Sequence, residues 1–205
     1  SIAASTNAIL AAAVDYQAPA MRLEMLRAQG EHPPRGGGAQ PFKTDQRTIQ
    51  VVSGKNAWSE GGAQPAPNPG AVSDRLRQIW LTPHGVVKAA MASGAAAEGN
   101  VFTFKAEDRD VKVTLNQENL VERVEYQIGN SVVGDLPVVV TYSDYAKFGD
   151  IQFPRHIVEK QDGLDTLDIT ITDVQPNAAV SLPVPANVAS APAPPATPMV
   201  TIDKV

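Results

Sequence analysis

Between residues 101 and 172 apolar and polar residues alternate, and the breaks in the alternation are short. Val101 to Lys105 and Val111 to Leu115 flank Ala106-Glu107-Asp108-Arg109-Asp110 and read as a hairpin. Leu120, Val124, Tyr126 and Ile128 share one parity against Val121, Arg123, Glu125 and Gln127. Leu167, Ile169 and Ile171 alternate with Asp168, Thr170 and Thr172. A period of two places one face of each strand in the core and the other in water. Upstream, Thr48 to Val52 and Asn56 to Ser59 form a hairpin around Ser53-Gly54-Lys55, and Asp162-Gly163 is a turn signal. A parallel crossover needs a dozen or more residues, so these short connections dictate antiparallel neighbours in a meander.

Two helices interrupt the strands. Ser73 or Asp74 can cap a helix carrying Leu76, Ile79 and Trp80 on one side. Thr82-Pro83 then reads as an N-cap with proline at the first helical position, opening a second helix that Gly94 can stop. Their apolar sides need a surface to cover, and the sheet is the large one present. Met21, Leu23 and Met25 alternate with Arg22 and Glu24, so this segment reads as a strand although its residue types favour helix; Tyr16-Gln17-Ala18-Pro19 turns into it from the alanine-rich run. Glu31 to Pro41 and Gly61 to Gly70 are too rich in glycine and proline for regular structure. Trp58 falls on a strand beside the second of these loops and is expected to matter less than Trp80. Pro183 to Pro198 reads as an extended proline/alanine linker, and Met199 to Val205 as the first strand of a following domain or as a docked tail. The expected organisation is one domain over residues 1–182, the linker 183–198 and the terminal strand 199–205.

Composition removes whole classes of function. A net charge of −5 without a Lys/Arg cluster argues against nucleic-acid binding, and the absence of cysteine removes thiolate catalysis, disulfides and cysteine-based zinc sites. No apolar run reaches the roughly 18 residues that a membrane-spanning helix needs. Ala8 to Val14 faintly resembles a signal-peptide core but lacks basic residues ahead of it, and reads as mature sequence. The three histidines, His32, His84 and His156, stand apart with none of the paired spacings that metal sites use. Arg35-Gly36-Gly37-Gly38 is followed by Ala39-Gln40-Pro41 instead of Lys-Ser/Thr, so it is no phosphate loop.

The stretch from Val139 to Lys160 collects Tyr142, Ser143, Asp144, Tyr145, Asp150 and His156. Val138 to Tyr145 reads as a strand, Ala146 to Asp150 as a turn and Ile151 to Lys160 as the return strand. Ile151, Phe153 and Ile157 share one face, with Gln152, His156, Val158 and Lys160 on the other. Pro154 cannot donate to a ladder, which predicts an edge strand or a bulge at that point. Ser143 sits inside a strand without a Gly-x-Ser-x-Gly elbow. A catalytic Tyr–His pair across the hairpin has no nucleophile or substrate pocket supplied to it, so a structural role is favoured.

Several motifs carry a family resemblance. Ile79-Trp80-Leu81-Thr82-Pro83-His84-Gly85 with Lys88-Ala89-Ala90 is one, and Tyr142-Ser143-Asp144-Tyr145 with Phe148-Gly149-Asp150-Ile151-Gln152-Phe153-Pro154 is another. Thr172-Asp173-Val174-Gln175-Pro176-Asn177 leading to Pro183-Val184-Pro185, and Arg22 to Gly38 ending in His32-Pro33-Pro34-Arg35-Gly36-Gly37-Gly38, complete the set. From about Tyr16 to Val205 the chain resembles the N-terminal region ahead of the catalytic domain in bacterial exported hydrolases of the metallo-β-lactamase fold. The tyrosine and proline motifs more widely resemble periplasmic lipoprotein-carrier-like proteins. The resemblance implies an α+β fold: a curled antiparallel sheet, a half-barrel, covered by two short consecutive helices.

Two functions follow as expectations. The first is a non-catalytic accessory domain, periplasmic or secreted, that packs on the C-terminal catalytic domain of the same parent chain. The His-x-His-x-Asp-His signature is absent, so any zinc belongs to that following domain; these residues are expected to hold no cofactor and no catalytic residue. The second is a module for a lipid or other hydrophobic ligand, with Leu76, Ile79, Trp80, Val86, Val87 and Met91 lining a cavity. The plainer alternative for those six is core filling.

Overall fold

The computed structural model describes residues 8–28, 44–95, 97–106, 109–130 and 134–192. His32, the glycine run at 36–38, the later part of the 183–198 segment and the terminal strand expected at 199–205 lie outside them. The fold is α+β and its described strand pairs are antiparallel, as the short connections require. The expected single sheet is instead two, of five and six strands, in two compact units: residues 1–75 with 181–205, and residues 76–180.

The first unit holds the five-stranded meander. β1 (Ala8–Asp15) and β2 (Ala20–Arg27) pair through a turn in which the Asp15 carboxylate accepts from the Gln17 and Ala18 amides at 2.7 and 3.2 Å. The alanine-rich run is therefore a strand. β3 (Gln46–Ser53) and β4 (Asn56–Glu60) form the hairpin expected around Gly54-Lys55, and β5 (Ala66–Pro67) adds a two-residue edge. Ile49, Val51 and Trp58 are buried on it together with Val188, and Leu182 and Val184 pack against them.

Val188 corrects the linker reading. The start of the proline/alanine segment carries a helical turn, α3 (Ala186–Ala189), which buries Val188, and Asn187 donates from its side-chain amide to the Pro65 carbonyl at 2.7 Å. Apolar residues between the prolines stick to the sheet where a solvated linker would not. The strap also reverses the expected ranking of the tryptophans: Trp58 is 2% exposed, whereas Trp80 is only partly buried. Beneath the same strands Arg75 is 4% exposed and donates to the Val51 and Trp58 carbonyls at 2.9 and 2.6 Å, and to the Ser59 hydroxyl at 3.3 Å.

The second unit holds the six-stranded meander. Its strands are β6 (Val101–Ala106), β7 (Arg109–Leu115), β8 (Val121–Asn130), β9 (Gly134–Phe148), β10 (Ile151–Gln161) and β11 (Leu164–Thr170), each beside its sequence neighbour. Phe102, Phe104, Val111, Val113, Val124, Val138, Val140 and Tyr142 supply the buried face. Val121, assigned to the wet parity with Arg123, is buried: register shifts between Thr114 and Leu115, leaving Glu122 as the extra residue, so the bulge moves Val121 to the inner face. β10 is an interior strand, but its pairing with β11 begins only at His156, so Pro154 has β9 alone as a strand neighbour. The proline rule holds locally although the strand is central.

Trp58→Ala is expected to cost about 3–5 kcal/mol, the range for large aromatic truncation in a core, and Trp80→Ala less. Chemical denaturation of the two variants measures the difference; the opposite order would mean that the strap does not cover Trp58 as described.

Candidate functional site

In the second unit, helices α1 (Val72–Trp80, from Leu76 onward) and α2 (Pro83–Ser93) meet at a tight elbow. Thr82 caps α2: its hydroxyl donates to the Ile79 carbonyl at 2.7 Å and accepts from the Gly85 amide at 3.2 Å. A Cβ at Gly85 would lie 2.1 Å from the Ile79 carbonyl oxygen and 2.7 Å from the Thr82 hydroxyl, so only glycine permits this approach. Gly94, at φ 67°, closes α2 in the left-handed conformation expected of a C-cap glycine. The elbow is tied to the sheet by the Tyr142 hydroxyl, which donates to the Leu81 carbonyl.

The elbow decides where the six expected cavity residues go. Ile79 and Val86 are fully buried, and Val86 and Ala90 join the phenylalanines and valines of the sheet in one packed cluster. Trp80 and Leu81 pack against that cluster, and Leu76 is half-buried. Val87 and Met91 point the other way and are 38% and 77% exposed. The six residues therefore do not line a common space: the helix turns some into the core and some to solvent. Helical periodicity could have separated them, because Val86 and Ala90 are four apart on one stripe and Val87 and Met91 on the next.

His84 extends the cover to β10. Its ring meets Phe153 edge-on at 5.5 Å between centroids. Burial lowers its pKa, the Gln152 backbone opposes that through a hydrogen bond, and Lys88 adds repulsion. Tyr145 donates to the Val121 carbonyl at 2.7 Å, and burial pushes its pKa up.

Two further features lie on this sheet. A cleft of about 500 Å³ is lined by Arg109, Lys112, Glu125, Tyr126, Gln127 and Asp135 among others, and by none of the six expected residues. Burial, with Glu159 adding to it, raises the Tyr126 phenol to about 12. On β9, β10 and β11, His156 stands between Ser143 and Asp168, in the stretch that the sequence reads as structural sheet. Asp168 is visible in the alternation of its strand; joining it to His156 requires the register across the turn at Asp162-Gly163, and adding Ser143 requires a second. Among the described residues no group of three or more His, Cys, Asp or Glu could hold a metal ion, and no helix is long and apolar enough to cross a membrane.

No family model matches the chain, and no curated relative does. Among solved structures, a LolA-superfamily protein of Nitrosomonas europaea is similar over 83% of this chain and 86% of its own, at 14% identity and a TM-score of 0.32.

Two outcomes test the elbow. In an open helix Gly→Ala stabilises by roughly 1 kcal/mol; Gly85→Ala is expected to destabilise by about 1–3 kcal/mol, read from the denaturation midpoint. Because the folded pKa of His84 lies below the ordinary 6.5, the unfolded chain takes up its proton first as pH falls. The contribution of His84 is therefore complete above pH 6.5 and declines as pH drops from there through the folded value. Melting temperatures across this range should fall in the wild type and vary less in His84→Gln.

Proposed function

We propose that this chain is a non-catalytic accessory module of an exported hydrolase of the metallo-β-lactamase fold. It packs on the catalytic domain and shapes access to it, while zinc and turnover belong to that domain. The six-stranded sheet with α1 and α2 on one face is taken as the lipoprotein-carrier-like half-barrel of such modules, at work in the periplasm or outside the cell. The observation that supports this reading best is the packing of Val86, Ala90, Trp80 and Leu81 against the sheet, which uses that face as core instead of ligand space. Zinc titration and ester and lactam hydrolysis assays on the 205-residue chain should give no stoichiometric metal and no turnover. Stoichiometric zinc with sustained hydrolysis would end the proposal.

A second reading, a carrier for a lipid or other hydrophobic ligand, draws on a different observation. Ile157 and Ile169, opposite each other on β10 and β11, share a face with Leu167 and are only half-buried, a short apolar strip beside Glu159 where an acyl chain could lie. Native mass spectrometry separates the two: a co-purifying lipid supports the carrier, and a mass equal to the bare chain supports the accessory module.

A further inference from the structure

The outer face of the six-stranded sheet is polar and crossed by ion pairs. Lys105–Asp110, Lys112–Glu125, Arg123–Glu125 and Lys160–Asp165 each join a lysine or arginine to a carboxylate. His156 differs in kind. The register sets it directly opposite Ser143 on β9 and opposite Thr170 on β11, which brings Asp168, two residues before Thr170, within diagonal reach. Its Nε2 lies 2.8 Å from Asp168 Oδ1, and its Nδ1 lies 3.5 Å from Ser143 Oγ.

This order of groups has a chemical consequence. When the ring is neutral, the Asp168 carboxylate can only accept, so the ring proton sits on Nε2 and the Nδ1 lone pair faces the serine hydroxyl. Hydroxyl, base and orienting carboxylate thus stand in one line, the relation that activates a nucleophile. Immediately after Ser143, Asp144 holds φ 55° inside the strand, a strained conformation of the kind found where a strand re-aims its side chains.

We propose that Ser143 is an activated nucleophile and a site of covalent acylation, taking one acyl group from an exposed, activated ester. Ser143 Oγ attacks the carbonyl carbon as its proton passes to His156 Nδ1; the bond from that carbon to the leaving oxygen breaks, and the leaving oxygen takes the proton from Nδ1. Asp168 is a positioning residue that holds the imidazole in the required tautomer. The step is redox-neutral and needs only the ester. The side chains of His156 and Asp168 are 37% and 67% exposed, so the site is open to an ester from solvent, and the product is a surface serine ester. The inference does not rest on the accessory-module reading. That reading fails on metal-dependent turnover, whereas this one fails on where, and how fast, a single acyl group lands.

The probe is p-nitrophenyl acetate on the full chain, followed by nitrophenolate release, intact mass and peptide mapping. One equivalent of acetyl is expected on Ser143, and none at that position in Ser143→Ala. His156→Gln should slow its acetylation about 100-fold, the lower range for a lost general base. Asp168→Asn should slow it less and leave the one-equivalent stoichiometry intact, which a purely structural role would not predict. Thr170→Ala, opposite His156 but outside the relay, should label at the wild-type rate. These side chains lie on the polar face, and circular dichroism is the check that each variant is folded. Acetyl found on lysines alone, or on Ser143 at an unchanged rate in folded His156→Gln, would overturn the proposal.

Discussion

The second unit depends on one constraint, the contact between the Ile79 carbonyl, the Thr82 hydroxyl and the bare Cα of Gly85. The hydroxyl serves two orphan backbone groups at once, an acceptor at the end of α1 and a donor at the start of α2. It can do so only because no side chain stands at Gly85, where a Cβ would meet the carbonyl oxygen at 2.1 Å. The sharp turn that results sends Val86 and Ala90 into the sheet and leaves Val87 and Met91 outside. Tyr142 fixes the elbow to β9 through the Leu81 carbonyl.

The first unit is organised by a buried cation and a returning strap. Arg75 is held by two strand carbonyls and a serine hydroxyl, neutral acceptors whose bonds to a charged donor are stronger than ordinary ones. Burial lowers its pKa, yet a guanidinium starts so high that it stays charged. The carbonyls of Val51 and Trp58, side by side on β3 and β4, are thereby satisfied in the interior. Trp58 lies against the strap residues Leu182, Val184 and Val188, so its burial depends on chain some 120 residues away.

That distance explains what could and could not be read from the sequence. Strand periods, the Asp162-Gly163 turn, the Thr82-Pro83 cap and the Gly94 stop are local signals, and each lies where expected. The burial of Trp58 and Val188 is not local: nothing near either residue announces its partner. The division into two sheets was hidden for the same reason, since alternation gives a strand its faces without saying which sheet it joins. Val121 was assigned to the wrong face because a bulge at Glu122 breaks strict alternation, and bulges leave little trace in composition. The line from Ser143 through His156 to Asp168 needed two registers at once, one of them interrupted by a shift between Glu159 and Lys160.

The central claim is that α1 and α2 belong to the core of the sheet they cover and are not a lid over a ligand space. Native-state amide hydrogen exchange tests it most directly. The Val86 amide donates to the Thr82 carbonyl at 2.9 Å within α2, while Val124 and Val140 pair in the centre of the sheet. If the helices are core, the amides of Val86 and Ala90 exchange with the same opening free energy as those of Val124 and Val140. If Val86 and Ala90 exchange through a much cheaper opening while the sheet stays protected, the helices move as a lid and the claim is contradicted.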